Sequence, residues 1–220
     1  MEALIHAFFN VEILAKSAPI LWAGVKMTLV LSLVVVPLGA AGGLAVALLH
    51  QTRLRWPMML YVDFFRAFPP LVLLMFVAFG LPFVGLDLGA FGAVALAFLL
   101  NTSSYYGEVF RAGIESVPRG QVEAARSTGL TALQSMAYVV VPQAVRNVLP
   151  DLLSNTLEVV KLTSIASVVA LPELLYAARQ AQASTYNATP VIAAGIIYLL
   201  LLWPLVSLLS RYEHRQIASR

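Results

Sequence analysis

Asp151, Glu158 and Lys161 lie inside a stretch, Val148 to Leu171, that is otherwise rich in leucine and valine. Ionisable groups are costly in apolar surroundings, and within a membrane they face a cavity or one another. Set on a helix, Asp151, Ser154, Asn155, Glu158 and Lys161 fall within an arc of about 120°. Leu152, Leu153, Leu157, Val159 and Val160 fill the other side. Such a helix suits a wall between lipid and an aqueous path. Glu158 could meet an ammonium group or a cationic side chain, and Lys161 a carboxylate. Asn155, Thr163 and Ser164 could supply neutral hydrogen bonds. The alternative is a plain structural pair, because Glu158 and Lys161 are three residues apart on one face. Asp63 and Arg66 share that spacing and are expected to pair with each other.

What the chain lacks excludes other chemistry. There is no cysteine, hence no disulfide, thiolate metal site or thiol nucleophile. His6, His50 and His214 are far apart, and no pair has metal-ligand spacing. An intramembrane enzyme would need a constellation that these residues do not supply. A phosphate-binding loop ends in Gly-Lys-Ser/Thr. Lys16, Lys26 and Lys161 are the only lysines, and none follows a glycine. No basic stripe interleaves with aromatics, so nucleic acid is not an expected partner. The net charge of +3 suits a membrane surface.

The elements that position these residues follow from composition. Of 220 residues, 60% are hydrophobic and 11% charged, whereas a soluble domain carries about a quarter charged residues. Lipid is the natural solvent. Four runs lack Lys, Arg, Asp and Glu: Met27–Gln51, Ala67–Leu86, Leu88–Gly107 and Pro190–Ser210. Each approaches the length of about 20 residues that a spanning helix needs. Arg53 and Arg55 follow the first run, Arg111, Arg119 and Arg126 the third, and Arg211, Arg215 and Arg220 the last. Basic loops belong in the cytoplasm. Parity then requires a hidden span near Val148–Leu171, the stretch with the polar stripe. The predicted fold is all-α and integral to the membrane, with five spans, N-terminus out and C-terminus in.

Residues 1–18 are expected to form a short interfacial helix, and Glu2 and Glu12 argue against a cleaved signal peptide. Gly39, Gly42 and Gly43 allow close helix packing, and Pro69 and Pro70 should kink the second span. No internal repeat marks a secondary transporter of the inverted-repeat kind. One domain, 1–220, is expected, with a cytoplasmic loop at about 112–143.

That loop carries the most specific pattern. Glu123, Ala124 and Ala125 are followed by Gly129, six positions after Glu123, and by Pro142, thirteen positions further. Val139 and Val141 precede the proline. Small residues let a short helix lie closely in a partner's groove, and Glu123 offers it an anionic contact. Gly129 permits a sharp exit, and Pro142 favours a new helix start. This spacing resembles the EAA signature of bacterial ABC importer permeases, with valines at two aliphatic positions. The resemblance extends along nearly the whole chain to the polar amino acid branch of that family. It is carried by Gly24, Thr28-Leu29, Tyr61–Phe65, Arg66 and Pro69, Asn101–Ser104, Glu108, Arg111, Pro118, Gln121, Gln143, Arg146, Pro150, Lys161, Thr163, Ser164 and Glu173-Leu174. Two positions depart from it. Ala67-Phe68 stands where the branch has Gly-Thr, and Leu162 where it has aspartate.

The resemblance implies a type I ABC importer permease fold with coupling helices between spans 3 and 4. It implies that Gln121, Glu123, Ala124, Ala125, Gly129 and Pro142 meet a separate ATPase subunit. ATP and Mg would sit on that subunit, leaving this chain without a cofactor. It further implies a second permease, identical or homologous, and an extracytoplasmic solute-binding protein. The cargo would be a polar amino acid. The alternatives are another small zwitterion such as an opine, or an ATP-independent transporter.

Overall fold

The computed structural model describes residues 6–218, with side chains described through Arg211. Among the described residues, all regular structure is helical. Helix α1, Val11–His50, runs 40 residues. Asn10 caps its start, its Oδ1 accepting from the Ile13 amide at 3.1 Å. Within the 1–18 stretch expected to form a surface helix, residues 6–8 are helical, the helix breaks at Phe9 and Asn10, and Val11 opens α1. Residues 1–5 lie outside the described residues.

After α2, Arg55–Ala67, the chain breaks at Phe68, whose φ −81 and ψ 124 are extended. A residue before proline is pushed out of the helical region, and Pro69 follows. Helix α3, Pro70–Met75, continues as a π turn, Phe76–Gly80, and a 3-10 turn, Leu81–Val84. Helix α4 spans Gly89–Glu115. Helix α5, Arg119–Ser127, and helix α6, Ala132–Ser135, lead into a second π turn at Met136–Val140. Then follow α7, Val141–Asn147, and α8, Leu149–Leu162, which tightens into a 3-10 turn at Thr163–Val169. Helix α9, Leu174–Thr185, and the 30-residue α10, Thr189–Ala218, complete the chain.

Three described segments are long and apolar enough to cross a membrane: His6–His50, Leu149–Val169 and Thr189–Arg211. The middle one coincides with the hidden span inferred from charge parity. The pair Arg55–Ala67 and Pro70–Val84 passes the same test jointly, as a broken span or a re-entrant loop. Helix α4 is not among them. Its polar run Asn101–Ser104 lowers its hydropathy. Only 6% of the apolar window of α10 is buried; Leu199, Leu200, Leu205 and Leu208 face outward, as they would toward lipid, while Leu202 and Leu209 turn inward.

The chain forms two compact units from interleaved segments. One takes the described parts of 1–36, 70–98 and 157–220. Its core joins Leu21 and Val25 of α1 to Leu174 and Ala178 of α9 and Ala194 of α10. Gly24 makes this possible, since a Cβ there would lie 2.8 Å from the Leu174 Cα. The other unit takes 37–69 and 99–156. Here Gly39 and Gly43 of α1 lie so close to Thr102 and Tyr106 of α4 that a Cβ would collide with them. Small residues thus bring two backbones together, as in membrane helix packing generally. Tyr61 of α2 closes the same face, its hydroxyl 2.7 Å from Ser103 Oγ and 3.2 Å from the Leu100 carbonyl.

Candidate coupling surface and solute pathway

Pro118, with φ −58 and ψ 136, stands just outside α5 and directs the chain into it. Gln121, Glu123 and Ala124 are exposed along α5, whereas Ala125 is buried. One short helix therefore presents a carboxylate and a small residue outward and anchors itself through a methyl group. Its end is closed locally. Ser127 Oγ donates to the Glu123 carbonyl at 2.9 Å, and Thr128 Oγ1 to the Ala125 carbonyl at 2.8 Å. Gly129 adopts φ +90 with open space where a Cβ would sit. Backbone conformation, not crowding, requires glycine there.

A capping box then starts α6. Thr131 Oγ1 accepts from the Gln134 amide at 3.3 Å, and Gln134 Oε1 accepts from the Thr131 amide at 2.8 Å. Pro142 lies in the first turn of α7. It has no N–H to give to the preceding turn, and the chain there widens into the π turn Met136–Val140. Gln143 Nε2 donates to the Val139 carbonyl at 2.9 Å and satisfies it from the side. Helix α7 returns onto α4, where a Cβ at Gly113 would lie 2.9 Å from the Ala144 carbonyl. Asn147 Nδ2 donates to Ser116 Oγ at 2.8 Å. The structure thus gathers Gln121, Glu123, Ala124 and Ala125 on one surface helix. Gly129 forms its exit, and Pro142 lies on a separate helix anchored to α4.

On α8, Asp151, Ser154, Glu158 and Lys161 are exposed, and Leu157 and Val159 are buried. Glu158 Oε1 lies 2.5 Å from Lys161 Nζ, so the two pair. Asn155 is half-buried, and its Nδ2 has no hydrogen-bond partner. Thr163 does not join this face. It is fully buried, and its hydroxyl donates to the Val160 carbonyl at 2.6 Å. Ser164 donates to the Lys161 carbonyl at 2.9 Å and remains half-buried. The cause is the switch to 3-10 geometry at Thr163, which turns side chains away from the α-helical arc.

Two networks escaped sequence reasoning. Glu173 is fully buried. As the cap of α9 it accepts from the Leu175 and Tyr176 amides at 2.8 and 2.7 Å, and from the Tyr198 hydroxyl at 2.8 Å. Glutamate is not a favoured capping residue, so only the preceding Pro172 hinted at it. The second network lies just beyond the apolar run that ends at Gly107. Arg111 donates to both oxygens of Glu108, at 2.9 and 2.6 Å, and to Glu115 at 2.7 Å. Its guanidinium holds the Glu108 carboxyl below the usual carboxylate range. The expected Asp63–Arg66 pair does not form. Arg66 reaches Glu108 at 3.9 Å and stacks over Tyr105 at 5.6 Å, because α4 offers it a better partner than its own helix.

A family assignment follows from these features together. Residues 36–217 match the family described as binding-protein-dependent transport system inner membrane components. The chain belongs to that family and is an inner-membrane permease of the ABC-importer class. It is similar to the probable amino-acid ABC transporter permease YckA of Bacillus subtilis (strain 168), at 34% identity over 210 residues, 94% of this chain and 91% of that protein. The probable glutamine ABC transporter permease GlnM of the same organism is 38% identical over 200 residues, 89% of this chain and 93% of that protein. A solved structure described as an amino acid ABC transporter with histidines matches with TM-score 0.82 and 35% identity. It covers 92% of this chain and 96% of that one.

Proposed function

We propose that this chain forms the solute path of an ATP-driven importer for a polar amino acid, and that α5 is its coupling helix. The observation that carries this is the exposure of Gln121, Glu123 and Ala124 on a short helix closed by Gly129 at φ +90. A separate ATPase, carrying ATP and Mg, docks on that surface. An extracytoplasmic binding protein delivers the solute, and a second permease, identical or homologous, completes the path. The chain acts as one permease domain, 1–220, crossing the membrane five times with its N-terminus outside and its C-terminus in the cytoplasm.

Transport proceeds by alternating access, in which ATP binding biases a two-state element. Motion at Glu123 passes through Gly129 and Pro142 toward α8. There Glu158, Lys161 and Asn155 meet the solute, with Ser164 at the margin of that face and Thr163 behind it. Glu158 and Lys161 exchange their mutual ion pair for the ammonium and carboxylate of the cargo. Ala67, Phe68 and Leu162 favour a second reading of the cargo as another small zwitterion, such as an opine.

The test is Glu123→Arg in vesicles holding the complete transporter. Loss of ATP-dependent uptake, with the protein still in the membrane, is the expected outcome. Uptake at the unsubstituted rate would remove the coupling role.

A further inference from the structure

A second polar cavity lies away from α8. It occupies about 240 Å³ between the end of α1, α2 and α4, and is lined by His50, Arg55, Met59, Asp63, Glu108 and Arg111. That is room for about eight water molecules, the bulk of a short amino acid. Arg111 and Glu108 are already committed to each other, with Glu115 and Arg66 completing a balanced set. Three polar groups remain. Arg55 and Asp63 are exposed, and among the described residues no side-chain hydrogen bond or ion pair engages either. His50 is 9% exposed, and its Nδ1 is buried without a hydrogen-bond partner. A buried polar atom left unmatched costs free energy that a ligand can recover.

The uncommitted groups have a polarity. Arg55 opens α2, and Asp63 lies eight residues on, about 12 Å along the axis. Both line the cavity, which therefore offers a guanidinium and a carboxylate from α2 together with the His50 imidazole from α1. A simple anion would satisfy Arg55 and be repelled by Asp63, and a simple cation the reverse. A molecule with a carboxylate at one end and an ammonium at the other matches both.

We infer that this cavity is a binding site for an elongated zwitterion, with its carboxylate toward Arg55 and His50 and its ammonium toward Asp63. Its location at the cytoplasmic mouth rests on the orientation proposed above. Binding itself does not, and it is measurable on the detergent-solubilised transporter without reference to sidedness.

The experiment is calorimetric titration of the whole purified assembly with 6-aminohexanoate, hexanoate, hexylamine and inorganic phosphate. The expected result is that 6-aminohexanoate binds at least about tenfold more tightly than the two single-charge analogues, the order of one charge-assisted contact. Arg55→Gln and Asp63→Asn should each weaken it by about the same factor, and Lys16→Gln, an exposed residue outside the cavity, should leave it unchanged. Equal binding of hexanoate or phosphate would make this a plain anion site and overturn the proposal. Absence of binding by 6-aminohexanoate to the unsubstituted assembly would overturn it as well. Loss of binding in Glu158→Gln alone would assign the ligand to α8 instead.

Discussion

The Tyr198 hydroxyl lies 2.8 Å from the Glu173 carboxylate and donates to it, joining α10 to the first turn of α9. Glu173 is fully buried and has two backbone amides as its other donors. Thr28 takes part from α1, its Oγ1 accepting from the Leu174 amide at 3.1 Å. Removing the phenol oxygen leaves a buried carboxylate short of a donor. Tyr198→Phe should therefore destabilise the protein by about 1–3 kcal/mol. Thermal unfolding in detergent measures this, and an unshifted midpoint would show that water replaces the phenol.

Gly43 lies against Tyr106 and the Gly107 backbone with no room for a Cβ. Gly43→Val should separate α1 from α4 and cost about 1–3 kcal/mol or more. Gly195 on α10 has nothing within 4 Å of its Cβ position. Gly195→Ala should be neutral or stabilising by about 0.5–1 kcal/mol, as for glycine in a helix interior. Equal yields and melting midpoints for the two variants would contradict the close packing.

Arg111 serves Glu108 with two nitrogens and Glu115 with a third. Lysine cannot reproduce that fork. Arg111→Lys should lower thermal stability at neutral pH. The Glu108 carboxyl is held below its ordinary value, first by its hydrogen bond from Arg111. Its contribution is present above the unfolded carboxylate value and fades as pH falls through the folded one. The gap between wild type and variant should therefore shrink below about pH 4. A gap that stays constant from neutral to acid pH would point to packing instead of charge.

Gly129 at φ +90 has space for a side chain but not the backbone freedom. Gly129→Ala should cost about 1–2 kcal/mol in local strain. It should also reduce ATP-dependent uptake more than it lowers expression. If uptake per molecule of protein is unchanged, the turn geometry is not part of coupling.

Glu158 and Lys161 are an exposed pair, 68% and 48% accessible. Breaking it should alter stability by no more than about 1 kcal/mol. A change in uptake or in substrate preference for Glu158→Gln then reports on the solute alone. Unaltered transport would confine the residue to its pairing with Lys161.

Much of this architecture is legible in the chain because lipid demands long apolar runs. Leu149–Val169 hides behind Asp151, Glu158 and Lys161, yet charge parity alone brings it out. Phe68 breaks the second apolar run where Pro69 dictates. The surface helix at Glu123 and its exit at Gly129 were legible as well, since both depend on local conformation. What escaped is what depends on a partner far along the chain. Spacing suggested Arg66 with Asp63, but α4 supplies Glu108. Asn101–Ser104 reads as a polar interruption, and only the fold shows these residues buried, with Ser103 facing Tyr61. Thr163 reads as a supplier of neutral hydrogen bonds to the solute, but the 3-10 turn buries it and its hydroxyl goes to the Val160 carbonyl. Glu173 has no signature that a cap made by glutamate would announce.

The π turn at Met136–Val140 has a rotational meaning. One residue more than an α-helix needs shifts everything after it by about 100° around the axis. Ala144 meets Gly113, and Gln143 finds the Val139 carbonyl, only in that shifted phase. Deleting a single residue between Met136 and Val140 would swing α7 by nearly a third of a revolution and lift Ala144 off α4. The length of this short segment is thus a setting of angle, and sequence changes that preserve hydrophobicity but not residue count should be tolerated least here.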